Sequence, residues 1–340
     1  MPASDRYARQ TILPAIGEEG QARLLASRVA VLGCGATGTV IANHLARAGV
    51  GYLRVVDRDW VEWNNLQRQL LFDEADARGH VPKAVAAQAR LRAVNSEIII
   101  EGRVEDVNSG NVAALIGDVD LVMDGTDNFE TRYIINDACI QAGVPWVYTG
   151  AVATYGMTLL VLPGDGPCLR CVFPEPPPAG TGATCDTAGV LGPAVSVAAS
   201  FAATEALKWL VGARDELSRA LVHVDVWEPS WHAFRVQRKQ DCPCCGRREF
   251  PFLEPQTVSL ATTLCGRDAV QISPARPSQL DLQAMADRLL AVGEVEVTPF
   301  LLRFRAGDVR ITVFRDARAI VQGCTDETAA RSLYARYVGA

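Results

Sequence analysis

Along the first 250 residues, short apolar runs of strand length alternate with longer segments whose apolar positions recur at helical spacing. The runs at 29–32, 52–56, 98–100, 119–123 and 145–150 are rich in β-branched residues, and several stop abruptly at Gly or Asp. Between them, 39–48, the Ala-rich 84–94 and 128–142 read as helices. This alternation predicts an α/β unit built on a doubly wound, Rossmann-like, mostly parallel sheet with ligands at its carboxyl edge. Residues 223–227 and 234–238 alternate apolar and polar instead, the pattern of antiparallel strands, so an antiparallel continuation of the sheet is expected. Residues 7–25 read as a turn or short helix before the first strand. Residues 189–210 read as a long helix of small side chains, whose close-packing face suits a dimer contact as well as a core.

Prolines at 251, 255, 274 and 277 mark a change of texture. The expected organisation is a first domain at 1–250, a linker at 251–265 and a small α+β domain at 266–340. Within the last, strands are expected at 269–272, 295–297, 300–305, 309–314 and 319–321, and helices at 280–292 and 327–337. A chain of 340 residues exceeds what one hydrophobic core usually serves, in keeping with two domains.

The first apolar run feeds into Gly33-Cys-Gly-Ala-Thr-Gly38. Gly33, Gly35 and Gly38 in a G-x-G-x-x-G turn between strand and helix let the backbone approach a phosphate, which the free amides of the helix start attract. Asp57 lies 19 residues after Gly38, at the end of the second strand, where an acid accepts hydrogen bonds from ribose hydroxyls. These features together predict a nucleotide site. The stretch that follows Asp57 carries Asn65, Arg68 and Gln69, and Lys83 and Arg9 add further positive charge. A triphosphate with about four negative charges calls for such a set, because nucleotidyl transfer is mostly positioning and charge neutralisation. An NAD-dependent oxidoreductase would share the glycine turn and Asp57 but would leave Arg68 and Lys83 without a role. Asp127, just after the strand at 119–123, suits Mg2+ beside a triphosphate. It suits the N-cap of the helix at 128–142 as well.

Ten cysteines and no apolar leader after Met1 favour metal ligands and free thiols over disulfides. Cys168-x-x-Cys171 and Cys242-x-x-Cys245, 70 residues apart, fit a tetrahedral four-thiolate zinc site with no open position for water, hence a structural one. Cys244 lies between the second pair and is a competing ligand. Residues 173–186 contain three consecutive prolines and read as an extended crossing loop. Its thiol, Cys185, either reaches a reactive carbonyl or is a bystander. The net charge of −6 gives no footprint for nucleic acid, and no run of 18 apolar residues suggests a membrane span, so a cytoplasmic location is expected.

Arg6-Tyr-Ala-Arg-Gln10, the glycine turn, Asp57 with Asn64-Asn-Leu-Gln-Arg-Gln69, Pro82-Lys83 and Asp124-Gly-Thr-Asp-Asn128 occur in one order over the first 250 residues. Cys168-Leu-Arg-Cys171, Thr184-Cys185, Glu205-Ala-Leu-Lys208 and the second cysteine pair continue that order. This set resembles the MoeB/ThiF/HesA group of adenylyltransferases, relatives of the ubiquitin-activating enzymes. The resemblance implies ATP, Mg2+ and Zn2+ as cofactors, with Asp57 on the ribose, Asn65, Arg68 and Lys83 on the phosphates, and Asp127 on the metal. It implies that Arg9 serves the neighbouring subunit's site in a homodimer, and that Cys185 takes part in sulfur transfer through an acyl–sulfur link. The implied reaction is adenylylation of the C-terminal glycine of a small β-grasp sulfur carrier protein ending in Gly-Gly, which prepares it for thiocarboxylate formation. A cysteine desulfurase or rhodanese is the implied sulfur donor. Members of the wider superfamily that act on a tRNA base or a peptide would keep the same ATP site. The tail of about 85 residues is short for the rhodanese domain of some eukaryotic members. Carrier docking, dimerisation and structural support are all open roles for it.

Overall fold

In the computed structural model, which describes residues 6–176, 188–254, 260–264, 269–273 and 279–338, the apolar runs lie side by side as strands. They are β1 Arg28–Leu32, β2 Tyr52–Val56, β3 Ile99–Arg103, β4 Leu121–Asp124 and β5 Trp146–Val152, followed by β6 Tyr155–Val161, β7 Ala220–Asp225 and β8 Ser230–Arg235. Their order across one sheet is β3-β2-β1-β4-β5-β6-β7-β8. Pairing is parallel from β3 through β5 and antiparallel from β5 through β8, as the change from continuous to alternating apolar pattern predicts.

The continuous pattern of the central strands follows from helices on both faces. Val29, Val31, Leu53, Val55 and Met123 enter one core with helices α1 Gly17–Ala26, α2 Ala36–Ala48, α3 Lys83–Val94 and α5 Gly192–Val211. Ala30, Leu32, Val56, Val122 and Trp146 enter the other, against α4 Phe129–Ala142. By length and composition α5 is apolar enough to cross a membrane. Here Ala194, Ala198, Ala199, Ala202 and Ala206 are buried in the fold, and the buried Glu205 carboxylate accepts from Lys208 Nζ and the Ser218 amide, each at 2.7 Å. It is a core helix of this unit.

The chain reverses its direction of travel through the sheet between β1 and β4. At their carboxyl ends the two connecting turns touch through backbone. Gly33 has φ +91°; a Cβ on Gly38 would lie 2.0 Å from the Gly33 carbonyl oxygen, and one on Gly125 would lie 2.2 Å from the same atom. Only hydrogen fits at these positions. Gly35 stands at the N-cap, so α2 begins at Ala36, earlier than the periodicity from 39 suggests, and its first amides open onto the crevice.

The chain divides into two compact units, Met1–Glu254 and Pro255–Ala340. The second is a six-stranded antiparallel sheet, in the order β11-β12-β13-β14-β10-β9, with helices α6 Leu282–Leu289 and α7 Glu327–Tyr337. Its strands are β9 Leu260–Leu264, β10 Ala269–Ser273, β11 Glu294–Val297, β12 Leu301–Ala306, β13 Val309–Phe314 and β14 Ala319–Gln322. Strand β9 occupies residues that the proline punctuation assigned to a linker, because its register against β10 supplies the pairing that its own sequence does not advertise. Helix α6 is shorter than 280–292: the Asp281 side chain accepts from the amides of Gln283 and Ala284 and sets its start. Asp326 caps α7 the same way.

Gly125→Ala is expected to destabilise the first unit by about 1–3 kcal/mol, the usual cost of overpacking. It should also weaken nucleotide binding, because the clash is relieved only by parting the two turns. Urea denaturation and ATP titration of the same sample check both; a wild-type midpoint would show that the turns are not in contact.

Candidate nucleotide site and metal centre

The crevice is braced from beneath by Asp57. Its Oδ2 accepts from the Cys34 amide at 2.6 Å and its Oδ1 from the Asp59 amide at 2.8 Å, so the acid shapes the glycine turn. Burial pushes the Asp57 carboxyl above its ordinary range, while the Lys83 ammonium pulls the other way. Lys83 is buried at the first residue of α3, with Nζ 3.3 Å from Asp59 Oδ2. Its backbone is fixed too: the Lys83 amide donates to the Asp59 carbonyl at 2.9 Å. Burying an ammonium is costly without anions nearby, and this one has Asp57 and Asp59, the acids that follow β2. Arg58 donates from Nη1 to Asp106 Oδ1 at 2.9 Å. Burial opposes its charge, but Asp106, Asp59 and Asp127 outweigh that and hold its pKa above the ordinary value.

The segment after Asp57 forms a strap whose far end, at Gln69, reaches the glycine turn. Asn65 is buried, its Oδ1 accepting from the Glu62 amide at 3.0 Å and its Nδ2 donating to Asn64 Oδ1 at 2.9 Å. Half-buried Arg68 donates from Nη1 to the Asn64 carbonyl at 2.8 Å. Gln69 closes the strap. It is 4% exposed, its Nε2 lies 3.9 Å from where a Cβ of Gly35 would stand, and its Oε1 has no hydrogen-bond partner. Its Nε2, the donor end of the amide, is the part nearest the glycine turn.

Asp127 is exposed and makes no hydrogen bond or salt bridge with a described residue. The N-cap of α4 is Asn128, whose Oδ1 accepts from the Thr131 amide at 2.8 Å. The alternative reading of Asp127 as the cap is thereby removed. Behind it, Asp124 and Arg132 form a buried ion pair: Arg132 Nε donates to Asp124 Oδ2 at 3.1 Å and its Nη2 to the Thr126 carbonyl at 2.7 Å. Burial raises the Asp124 carboxyl and Arg132 lowers it. This pair shapes the turn that presents Asp127.

Arg9 stands apart. It is exposed on the helical turn Ala8–Thr11, whose neighbours anchor at the far end of α2: Gln10 Nε2 donates to the Ala48 carbonyl at 2.9 Å, and Tyr7 packs against Gly49. A 13-residue helix is about 20 Å long, so the glycine turn of the same chain is distant.

The second candidate centre is the cysteine cluster. The sulfur atoms of Cys168, Cys171, Cys242 and Cys245 are buried and lie within 4.8 Å of one another. Cys168 and Cys242 are 3.6 Å apart and Cys171 and Cys245 are 3.4 Å apart. Thiolates at about 2.3 Å from a tetrahedral zinc would be about 3.8 Å apart, whereas a disulfide needs about 2.05 Å. The donor set therefore fits a thiophilic divalent metal such as zinc. Cys244 is outside this group of four; it is buried, and its Sγ accepts from Asn136 Nδ2 at 3.2 Å.

The ThiF family profile matches residues 7–244, almost the whole first unit. The chain belongs to the ThiF family. It is 43% identical over 337 residues to the sulfur carrier protein ThiS adenylyltransferase of Bacillus subtilis, covering 98% of this chain and 99% of that protein. It is 42% identical over 248 residues to the sulfur carrier protein adenylyltransferase of Thermus thermophilus, covering 71% of this chain and 90% of that one. With the adenylyltransferase and sulfurtransferase MOCS3 of Bos taurus it shares 41% identity over 288 residues, 83% of this chain and 63% of that protein. Among solved structures, Escherichia coli MccB with ATP superposes with a TM-score of 0.62 at 24% identity, covering 71% of this chain and 74% of MccB, a likeness of fold.

In this ThiF-family chain the tertiary structure gathers Gly33, Gly35, Gly38, Asp57 and Lys83 around the carboxyl ends of β1 and β2 and brings Gln69 to Gly35; Asn65 and Arg68 bond within their own turn, with Arg68 beside Gly192 of α5, and Asp127 follows the end of β4. It does not bring Arg9 there. Cys185 lies outside the described residues. Asn136 and Arg132 escaped sequence reasoning, Asn136 because its partner Cys244 lies 108 residues away and Arg132 because its pairing with Asp124 needs α4 folded back on β4; the local signal is a charged or amide residue on the buried face of α4. In the ThiF-family cluster, Cys171→Ser is expected to reduce bound metal from about one ion per chain to near zero and to lower the thermal midpoint by about 5–10 °C, as loss of a structural ligand would. Metal analysis beside a melting curve checks this; full metal content in the variant would remove Cys171 from the ligand set.

Proposed function

We propose that this chain uses ATP to adenylylate the C-terminal glycine of a small β-grasp sulfur carrier protein, which then becomes a thiocarboxylate. The observation that carries the reading is a glycine turn backed by a buried ammonium, with an exposed carboxylate two residues beyond the Gly125 contact, in a chain alignable almost end to end with a protein named for ThiS adenylylation.

The carrier's carboxylate is ionised at neutral pH and needs no general base. It attacks the α-phosphorus of ATP; an acyl–phosphate bond forms, the bond to the β-phosphate breaks, and pyrophosphate leaves. Asp57 holds the ribose hydroxyls. The amides of the glycine turn, Asn65, Arg68 and Lys83 hold the phosphates and take up the charge of the leaving pyrophosphate. Asp127 holds Mg2+, which when bound supplies further charge neutralisation. The cysteine cluster holds zinc as a structural clip, its four thiolates leaving no open position.

Arg9 belongs to the neighbouring subunit's site in a homodimer, a reading supported by its exposure and by its anchoring at the far end of α2. The Cys185 thiolate attacks the adenylate's carbonyl carbon, a thioester forms and AMP leaves; a cysteine desulfurase or rhodanese is the sulfur donor for the later thiocarboxylate. The carrier docks on β7 and β8: β8 is an edge strand, Trp227 is 72% exposed, and Trp231 and Phe234 are more than half exposed.

ATP–pyrophosphate exchange with Gly-Gly-ended β-grasp proteins of the source organism tests the reading. Exchange with one of them identifies the carrier; exchange with none, despite ATP binding, overturns it. Lys83→Ala should lower exchange by about 10²–10³-fold, and Asp127→Ala should abolish it while the melting curve stays at the wild-type position. Mixing Arg9→Ala with Asp127→Ala chains, each inactive alone, should restore about a quarter of the sites, because only the mixed dimer unites an intact Asp127 with a partner's intact Arg9. No recovery after verified subunit exchange would place Arg9 outside the partner's site.

A further inference from the structure

Cys244 is flanked by two members of the metal group yet does not belong to it. It is fully buried and is held by helix α4. The Asn136 side chain, also fully buried, donates from Nδ2 to Cys244 Sγ at 3.2 Å, and its Oδ1 accepts from the Leu169 amide at 2.9 Å. One amide side chain thus grips both cysteine arms, the first beside Cys168 and the second between Cys242 and Cys245. The next residue, Asp137, receives Asn136 Nδ2 at 3.3 Å and the Phe252 amide at 3.4 Å, and Tyr133 donates to the Phe173 carbonyl at 2.7 Å. Four residues before Asn136, on the neighbouring turn of the same helix, Arg132 holds Asp124 and the Thr126 carbonyl at the end of β4.

We propose that Cys244 is an anchoring thiol rather than a metal ligand, and that with Asn136 it couples the cysteine clip to α4 and so fixes the turn that presents Asp127. Both are positioning residues; neither reaches the nucleotide crevice. Several features make the coupling physical. Asn136 has one acceptor and one amide group, and both are spent on the two arms, so neither arm can shift without leaving a buried polar group unpaired. A helix transmits such a shift as a rigid body, and Asn136 is only about 10 Å along the axis from the first turn of α4. The two arms come from segments separated by the whole of α5 and β7–β8, so this is where distant parts of the first unit are locked to the element that carries the acid. The predicted effect on Mg2+ rests on the adenylylation reading, whereas the effect on α4 does not.

The experiment compares full-length wild type, Cys244→Ala and Cys244→Ser, each loaded with zinc. It reads bound metal, amide hydrogen exchange over residues 126–142, and the Mg2+ dependence of ATP–pyrophosphate exchange. Cys244→Ala is expected to keep the wild-type metal content while exchange over 126–142 quickens about tenfold. Cys244→Ser should recover most of that protection, because a hydroxyl can accept from Asn136. The Mg2+ concentration for half-maximal activity should rise several-fold in Cys244→Ala with kcat nearly unchanged. Asn136→Ala, if it folds, should quicken exchange further. Loss of metal in Cys244→Ala would make this thiol a ligand and overturn the proposal. Full metal with wild-type protection of α4 would overturn it as well. A wild-type protein that never supports pyrophosphate exchange would defeat the assigned reaction, while metal content and amide protection would still decide this proposal.

Discussion

The first unit depends on a contact between two turns that carry no side chains. The carbonyl of Gly33 lies where a Cβ on Gly38 or Gly125 would stand, so the connections leaving β1 and β4 approach to backbone distance. That approach keeps β1 and β4 adjacent at the point where the sheet reverses direction, and it directs the free amides of α2 into the space between them. Side chains of any size there would part the turns and close off the crevice. The fold and the binding site are in this sense one constraint.

Around that contact, charge is arranged rather than merely present. Asp57 spends both carboxylate oxygens on backbone amides before any ligand arrives, which preorganises the turn. Lys83 and Arg58 are held by Asp59 and Asp106, so their charged groups are fixed in place rather than free in solvent. Asp124 is neutralised by Arg132 in the core, while Asp127, three residues on, is left without a salt bridge. Two acids on one short turn therefore serve opposite ends, one as part of the scaffold and one facing outward.

The cysteine group solves a different problem. Strands β7 and β8 continue the sheet by antiparallel pairing only, and the chain must cross a proline-rich segment and the 20-residue α5 before reaching them. Four thiols from the two ends of that excursion meet behind α4, and Asn136 grips both arms. Gathering the two ends of so long a loop at one buried cluster and one amide ties them to α4, beside the apolar burial of Leu221, Val222 and Val224 in β7.

The sequence by itself determined whatever depends on neighbours within a turn or two. The alternation of apolar runs with helical segments, the glycine spacing, the acid ending β2 and the two C-x-x-C pairs are local patterns, and each has a physical requirement readable without a partner. Tertiary structure decided the rest. Whether Asp127 or Asn128 caps α4 turns on the direction in which the chain enters the helix, which β4 sets. The placement of Lys83 behind the turn, the pairing of Arg132 with Asp124 and the grip of Asn136 on Cys244 each need a second element brought from elsewhere in the chain. Strand β9 lacks a pattern of its own and exists through its pairing with β10. Propensity and periodicity are properties of a segment, but burial, ion pairing and hydrogen-bond satisfaction belong to pairs of segments, and only the folded chain specifies the pairs.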